Sequence, residues 1–297
     1  MSRPRNECDA RPLRRLVRIA ALSLAGFILL LAIATMSGCC ERLFYYPDHV
    51  VYSVPDRPYE AVTFSSGDGT PLSGWFFPVD NPKGTVVHCH GNAQNMTSHW
   101  EFARFLPERG FNLLVFDYRG YGESGGSPSR PGTIADARAA VEYVRGRDDV
   151  APRRVGIFGQ SIGGAIAAVV AASDERIRAV VIDSAFTSYR DEAAHTLRRN
   201  PVTWLLAGPL SRLLIASGSD PIDYVGRIAP RPILFIHGTA DRLVPPAMTR
   251  QLHEAAGERS ELWLVDGARH LGSAAAEPVE YPARVSRFFA EAFAGAE

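Results

Sequence analysis

Gly159-Gln160-Ser161-Ile162-Gly163 places a serine between two glycines. An apolar β-type run, Val155-Gly156-Ile157-Phe158, precedes it, and Ala165 to Ala172 follows as an unbroken stretch of Ala, Ile and Val that reads as a buried helix. A serine at such a sharp strand-to-helix turn holds its hydroxyl clear of the sheet, at a helix N-terminus whose dipole favours developing negative charge. The glycines let the backbone turn and keep side chains from crowding the hydroxyl. This is chemistry for nucleophilic attack, and it needs a base to take the serine proton and a third group to orient that base.

Four histidines follow Ser161: His195, His237, His253 and His270. His195 falls in a long connection, His253 lies within a helix after Pro245, and His237 ends a strand ahead of Gly238 and reads as structural. His270 sits in the loop Asp266-Gly267-Ala268-Arg269-His270-Leu271, where a base can swing over the serine. For the acid, Asp241 follows the penultimate strand and satisfies the chain order serine, acid, histidine. Asp183, after the strand that follows the serine's helix, is its rival. The tetrahedral intermediate of acyl transfer needs two N–H donors. One is the backbone of Ile162; the other comes from His90-Gly91-Asn92-Ala93-Gln94-Asn95, with Asn92 the first choice and Ala93 the alternative. Asp117, with Arg119, reads as a loop anchor. His88 and His90 are spaced like a metal pair, but no Cys or acidic ligands flank them and the strand is expected to turn them to alternate faces. No metal and no cofactor is implied.

The elements that must hold these residues begin near Glu60. A hairpin pairs Ala61–Phe64 with Leu72–Phe77 around Gly67-Asp68-Gly69. Apolar runs then occupy 85–90, 112–118, 154–159, 179–183, 232–237 and 261–266, with helical stretches near 98–108, 131–145, 162–172, 245–256 and 278–290 between and after them. Alternation of this kind gives an α/β fold, a mostly parallel sheet with helices on both faces. Ligands then bind at the carboxyl ends of the strands, where the polar signatures fall. About fifty residues separate Asp183 from Pro232, too many for one crossover, so a small helical cap is expected at about 185–229. Its Trp204-to-Leu210 and Leu213-Leu214-Ile215 runs suggest a greasy roof over Ser161.

Taken together, His90-Gly91-Asn92-Ala93, Asp117-Tyr118-Arg119-Gly120-Tyr121-Gly122, Gly159-to-Gly164 and His237-Gly238-Thr239-Ala240-Asp241 resemble the α/β-hydrolase superfamily. The resemblance runs from about Glu60 to Ala290 and is nearest to the bacterial branch called serine aminopeptidase-like or lysophospholipase-like. It implies a serine hydrolase with Ser161, Asp241 and His270 as its triad. It is a poor guide to substrate, because this fold hosts esterases, thioesterases, lipases and peptidases.

A chain of 297 residues with 46% hydrophobic content fits one large domain plus a short appendage. Its 32 basic and 32 acidic residues leave no electrostatic footprint for nucleic acid. Charge is uneven only at the start, where Arg3, Arg5, Arg11, Arg14, Arg15 and Arg18 precede an uncharged run from Ile19 to Met36. Met36-Ser37-Gly38-Cys39 resembles the bacterial lipoprotein signal, which implies lipidation of Cys39; the alternative is a plain transmembrane anchor. Either way the body is membrane-attached and outside the cytoplasm, since the arginine-rich end stays inside. The expected divisions are 1–38 as signal or anchor, 39–59 as tether and lead-in, and 60–297 as the hydrolase domain. Cys89 reads as a small core residue, and no disulfide is expected. The leading function is cleavage of carboxylic esters, small or lipidic. A peptidase or amidase is the second reading, and a non-catalytic binding protein of the same fold the third.

Overall fold

The computed structural model describes residues 39–295, preceded by Arg15, Arg18, Ile19, Leu22, Ser23 and Gly26. Apart from those six positions, residues 1–38, where a signal or anchor is expected, lie outside the described residues. A two-residue strand β1 (Tyr46–Pro47) precedes the hairpin of β2 (Glu60–Ser65) and β3 (Pro71–Phe77). The chain then runs β4 (Thr85–Cys89), β5 (Ala93–Gln94), α1 (Met96–His99), α2 (Phe105–Glu108), β6 (Asn112–Phe116), α3 (Arg130–Arg145), β7 (Val155–Gln160) and α4 (Ile162–Ser173). After β8 (Val180–Asp183) come α5 (Tyr189–Arg198) and α6 (Ala207–Leu214), then β9 (Ile233–Gly238), α7 (Pro246–Ala256), β10 (Ser260–Val265), α8 (Ser273–Ala276) and α9 (Glu280–Ala294).

Eight strands form one sheet in the order β2-β3-β6-β4-β7-β8-β9-β10. It is antiparallel at β2/β3 and β3/β6 and parallel from β6 to β10. The parallel strands β4, β6, β7, β8 and β9 are buried along their whole length, which is why they read as continuous apolar runs rather than alternating ones. Successive residues face opposite layers. Val87 and Cys89 join the core that includes α3 and α4, while Val86 joins the core that includes Phe288, Phe289 and Phe293 of α9. Registers Cys89↔Gly159, Gln160↔Asp183 and Val265↔Gly238 bring the carboxyl ends of these strands to one edge. The loops holding Asn92, Ser161, Asp241 and His270 therefore open on the same side.

The helix expected near 98–108 is broken into α1, a 3-10 turn at Trp100–Phe102, and α2. Pro107 accounts for the restart, since proline cannot donate to a helix interior but is tolerated in a first turn, where it falls in α2. Asp117 anchors the start of α1 by accepting the Met96 N–H at 2.6 Å, and the Arg119 guanidinium bridges Asp136 and Asp68 at 2.7 and 2.8 Å. In the cap, the Ser188 hydroxyl accepts from the Asp191 N–H and starts α5, with Asp191 and Glu192 in the first turn.

The segment 39–59 is built into the body. Phe44 packs on Tyr189 with ring centroids 5.1 Å apart, Tyr45 is buried, and Glu41 pairs with Arg130 at 2.7 Å. β1 also adds in parallel to β5, the strand that follows Asn92.

Candidate active site

Ser161 is the last residue before α4 and has φ +54°, ψ −120°, a backbone that an L residue adopts only under constraint. Two features hold it there. Its N–H donates to the Asp183 carbonyl at 2.8 Å, and the flanking glycines admit backbone where no side chain fits. A Cβ on Gly159 would meet the Gly163 carbonyl oxygen at 2.4 Å, and one on Gly163 would meet the Cys89 carbonyl oxygen at 2.1 Å. The strand-to-helix turn is thus possible only with the sequence that marks it.

His270 and Asp241 arrive from the loops after β10 and β9. His270 Nε2 is 3.1 Å from Ser161 Oγ, and His270 Nδ1 is 2.7 Å from Asp241 Oδ2. Asp241 Oδ1 accepts the N–H groups of Leu243 and Val244 at 2.9 and 3.0 Å. Burial works to raise the Asp241 pKa, but hydrogen bonds from His237 and His270 outweigh it and hold the carboxyl well below the usual range. His237, read as structural, is fully buried with Nε2 3.1 Å from Asp241 Oδ2. It supports the acid from behind.

The other candidates lie elsewhere. The Asp183 carboxyl accepts the Tyr281 hydroxyl at 2.6 Å and the Ser184 hydroxyl at 2.8 Å, and burial raises its pKa. His195 Nε2 faces the Arg242 carbonyl, and His253 Nδ1 faces Ser260 Oγ.

Asn92 and Ile162 both line a cavity of about 400 Å³ at Ser161. Ile162 is the first residue of α4, and the first N–H groups of a helix have no intrahelical acceptor. The Asn92 side-chain oxygen accepts the Tyr46 N–H at 2.9 Å and the Tyr121 hydroxyl at 3.3 Å. That ties the loop after β4 to the segment ahead of the sheet. The remaining walls are mostly apolar, from Leu43 and Phe44, from the cap, and from Leu243 and Val244.

Two contributions escaped the sequence reading. Leu43, Phe44 and Tyr46 form a wall of the cavity, although nothing in their short, aperiodic stretch signals it. Glu192 of α5 also lines the cavity; it is buried, Oε2 has no hydrogen-bond partner, and burial next to the Asp241 charge pushes its pKa up to about 7. Beside Asp191 in a polar helix, it carries no signal in sequence that sets it apart.

The expectation that His88 and His90 point to alternate faces is corrected, because residues two apart on a strand share a face. His99 stands beside them, its ring centroid 5.2 Å from that of His90. Burial drives all three pKa values down, that of His88 to about 3, so the group is neutral at physiological pH. Among the described residues no cluster of three or more His, Cys, Asp or Glu is arranged to hold a metal ion.

A strained serine at a strand-to-helix turn, beside a histidine and an aspartate brought by later strands of one mostly parallel sheet, defines the class. The chain belongs to the α/β-hydrolase family, whose model matches residues 84–206, and it is a hydrolase. Among its relatives, YfhR of Escherichia coli strain K12, an uncharacterized protein, is 38% identical over 86% of this chain and 88% of its own length. The α/β hydrolase domain-containing protein WAV2 of Arabidopsis thaliana is 31% identical, over 79% of this chain and 81% of its own. Among solved structures, the esterase Pf2001 of Pyrococcus furiosus matches with a TM-score of 0.71 at 26% identity, covering 84% of this chain and 98% of that one.

Proposed function

We propose that the protein is a membrane-attached, lysophospholipase-like serine hydrolase that cleaves carboxylic esters, including acyl esters of lipids. The observation that carries this reading is the continuous line from Ser161 Oγ through His270 to Asp241, opening directly into a mostly apolar cavity. Likeness to an esterase of known structure supports the ester preference. In the proposed reaction His270 Nε2 takes the Ser161 proton as Oγ attacks the ester carbonyl carbon, while Asp241 accepts the Nδ1–H and stabilises the imidazolium. The backbone N–H groups of Ile162 and of Asn92 face the oxyanion. His270 then gives its proton to the leaving alcohol, and water activated by the same histidine releases the acid.

The test pairs a fluorophosphonate probe with panels of acyl esters and peptides. Covalent labelling of wild-type protein together with ester turnover is the expected result. Labelling with turnover of peptides alone would move the activity to the peptidase reading, and absence of labelling would leave a binding protein.

Glu192 supplies a pH signature. Below about pH 7 it is a neutral carboxyl; above, it becomes an anion in an apolar wall, facing Asp241 from the loop after β9 and Arg199 on its own helix. KM for a long-chain ester is therefore expected to rise as pH passes upward through about 7, and Glu192→Gln to flatten that rise. Parallel KM profiles for the two proteins would remove Glu192 from the pocket's chemistry.

Membrane attachment is proposed to run through Cys39, lipidated after loss of Met1–Gly38. Intact mass of the mature protein checks it: an unmodified, full-length N-terminus is the signature of a transmembrane anchor instead.

A further inference from the structure

The cap carries apolar residues both along the cavity and on its exposed surface. Leu214 and Ile215 line the cavity, whereas Val202, Trp204, Leu205, Leu206 and Leu213 are exposed and are not among its walls. The outer group is from 45% (Leu213) to 86% (Val202) exposed. A folded protein has no reason to gather five large apolar side chains on one exposed segment unless something covers them.

Charge on the same segment is equally one-sided. From Ala193 to Ser219 there is no Asp or Glu, while Arg198, Arg199 and Arg212 are exposed, in a chain whose charges as a whole balance at 32 to 32. Arg42 and Arg242, also exposed, adjoin the cavity residues Leu43 and Leu243. An apolar strip edged by arginine matches the boundary between acyl chains and anionic headgroups.

Position supplies the third observation. Leu43 is a cavity wall, and only three residues of chain separate it from Cys39, the proposed point of lipid attachment. Fully extended, that stretch reaches about 14 Å. With Cys39 held at a bilayer, this wall of the cavity cannot lie farther than that from the lipid surface.

We infer that the outer face of the cap, from Val202 to Leu213, docks on the anionic bilayer that holds the N-terminus, and that acyl-ester substrates pass from that bilayer under α6 into the cavity. The inference rests on the membrane-attached ester hydrolase proposed above. It adds an orientation, with the cap facing the lipid, and a delivery route that does not cross water.

Tryptophan fluorescence of the full-length protein in vesicles tests it. Trp75 and Trp100 are buried and Trp263 is half-buried, so Trp204 is the exposed reporter. In phosphatidylglycerol–phosphatidylcholine vesicles with brominated acyl chains, emission is expected to be quenched, and Trp204→Phe is expected to abolish the quenchable part. In parallel, the double variant Leu205→Ser/Leu206→Ser should lose on the order of tenfold in turnover of a long-chain lysophospholipid embedded in the vesicles, with turnover of a soluble butyrate ester unchanged. Equal Trp204 emission in brominated and plain vesicles would overturn the proposal, whether the cover proves to be a second copy or the chain's own N-terminal run. So would unchanged vesicle turnover in the double variant. Should the serine variant lose soluble-ester turnover as well, the quenching measurement decides. Failure of the wild-type protein to cleave any ester would instead strike the ester reading, leaving the quenching result to judge the docking face by itself.

Discussion

Ser161→Ala is expected to lower ester turnover by about 10⁴–10⁶-fold and to abolish fluorophosphonate labelling, with little change in thermal stability. The substitution removes one oxygen that faces the cavity and no core packing. The strained φ of +54° is set by the Ser161 N–H bond to Asp183 and by the close approach of Gly163 to the backbone of Cys89. Neither needs the hydroxyl, so alanine inherits the same backbone and the same strain. Residual activity then comes from the oxyanion donors and binding alone. A purified, folded Ser161→Ala protein that retained more than a small fraction of wild-type turnover would sink the nucleophile assignment.

The second large effect separates the two candidate acids. His270→Ala and Asp241→Asn are each expected to be severely impaired, the aspartate change by about 10⁴-fold. Asp241→Asn keeps an oxygen for the Leu243 and Val244 N–H groups, so the loop should survive. What goes is the negative charge that fixes the His270 tautomer and balances its positive form. Asp183→Asn is expected to retain activity while lowering the melting temperature, because both the Tyr281 and Ser184 hydroxyls donate to that buried carboxyl. The reverse pattern, with Asp183→Asn inactive and Asp241→Asn near wild type, would reassign the acid.

Much of this arrangement was legible in the chain because its signals are local or ordered. The fully buried strands announce themselves as apolar runs. Gly159 and Gly163 mark the turn because no other residue fits against the backbone there, and Asp241 and His270 follow from being polar loop residues after the last two parallel strands. What escaped depends on contacts between distant segments. The wall formed by Leu43, Phe44 and Tyr46 exists because β1 finds β5, and two-residue strands leave no periodicity to detect. Glu192 looks like a solvated charge in a polar helix; only packing against the loop after β9 buries it. Pro107 lies within the broken helix at 98–108, but a proline in a first turn and a proline that ends a helix look alike in sequence.

The pairing of β1 with β5 makes the completeness of the enzyme depend on where its N-terminus is cut. Removal through Gly38 leaves the 3-10 turn Cys39–Phe44, the Glu41–Arg130 pair and the cavity wall in place. Removal through Pro47, thirteen residues before the sheet begins at Glu60, would spare every strand of the eight-stranded sheet and all of Ser161, Asp241 and His270. It would nevertheless take away the Tyr46 N–H that holds Asn92, strip one side of the cavity and let water reach the serine from the direction of the missing strand. Such a shortened protein would keep the residues proposed as nucleophile and base and only half of the pocket around them.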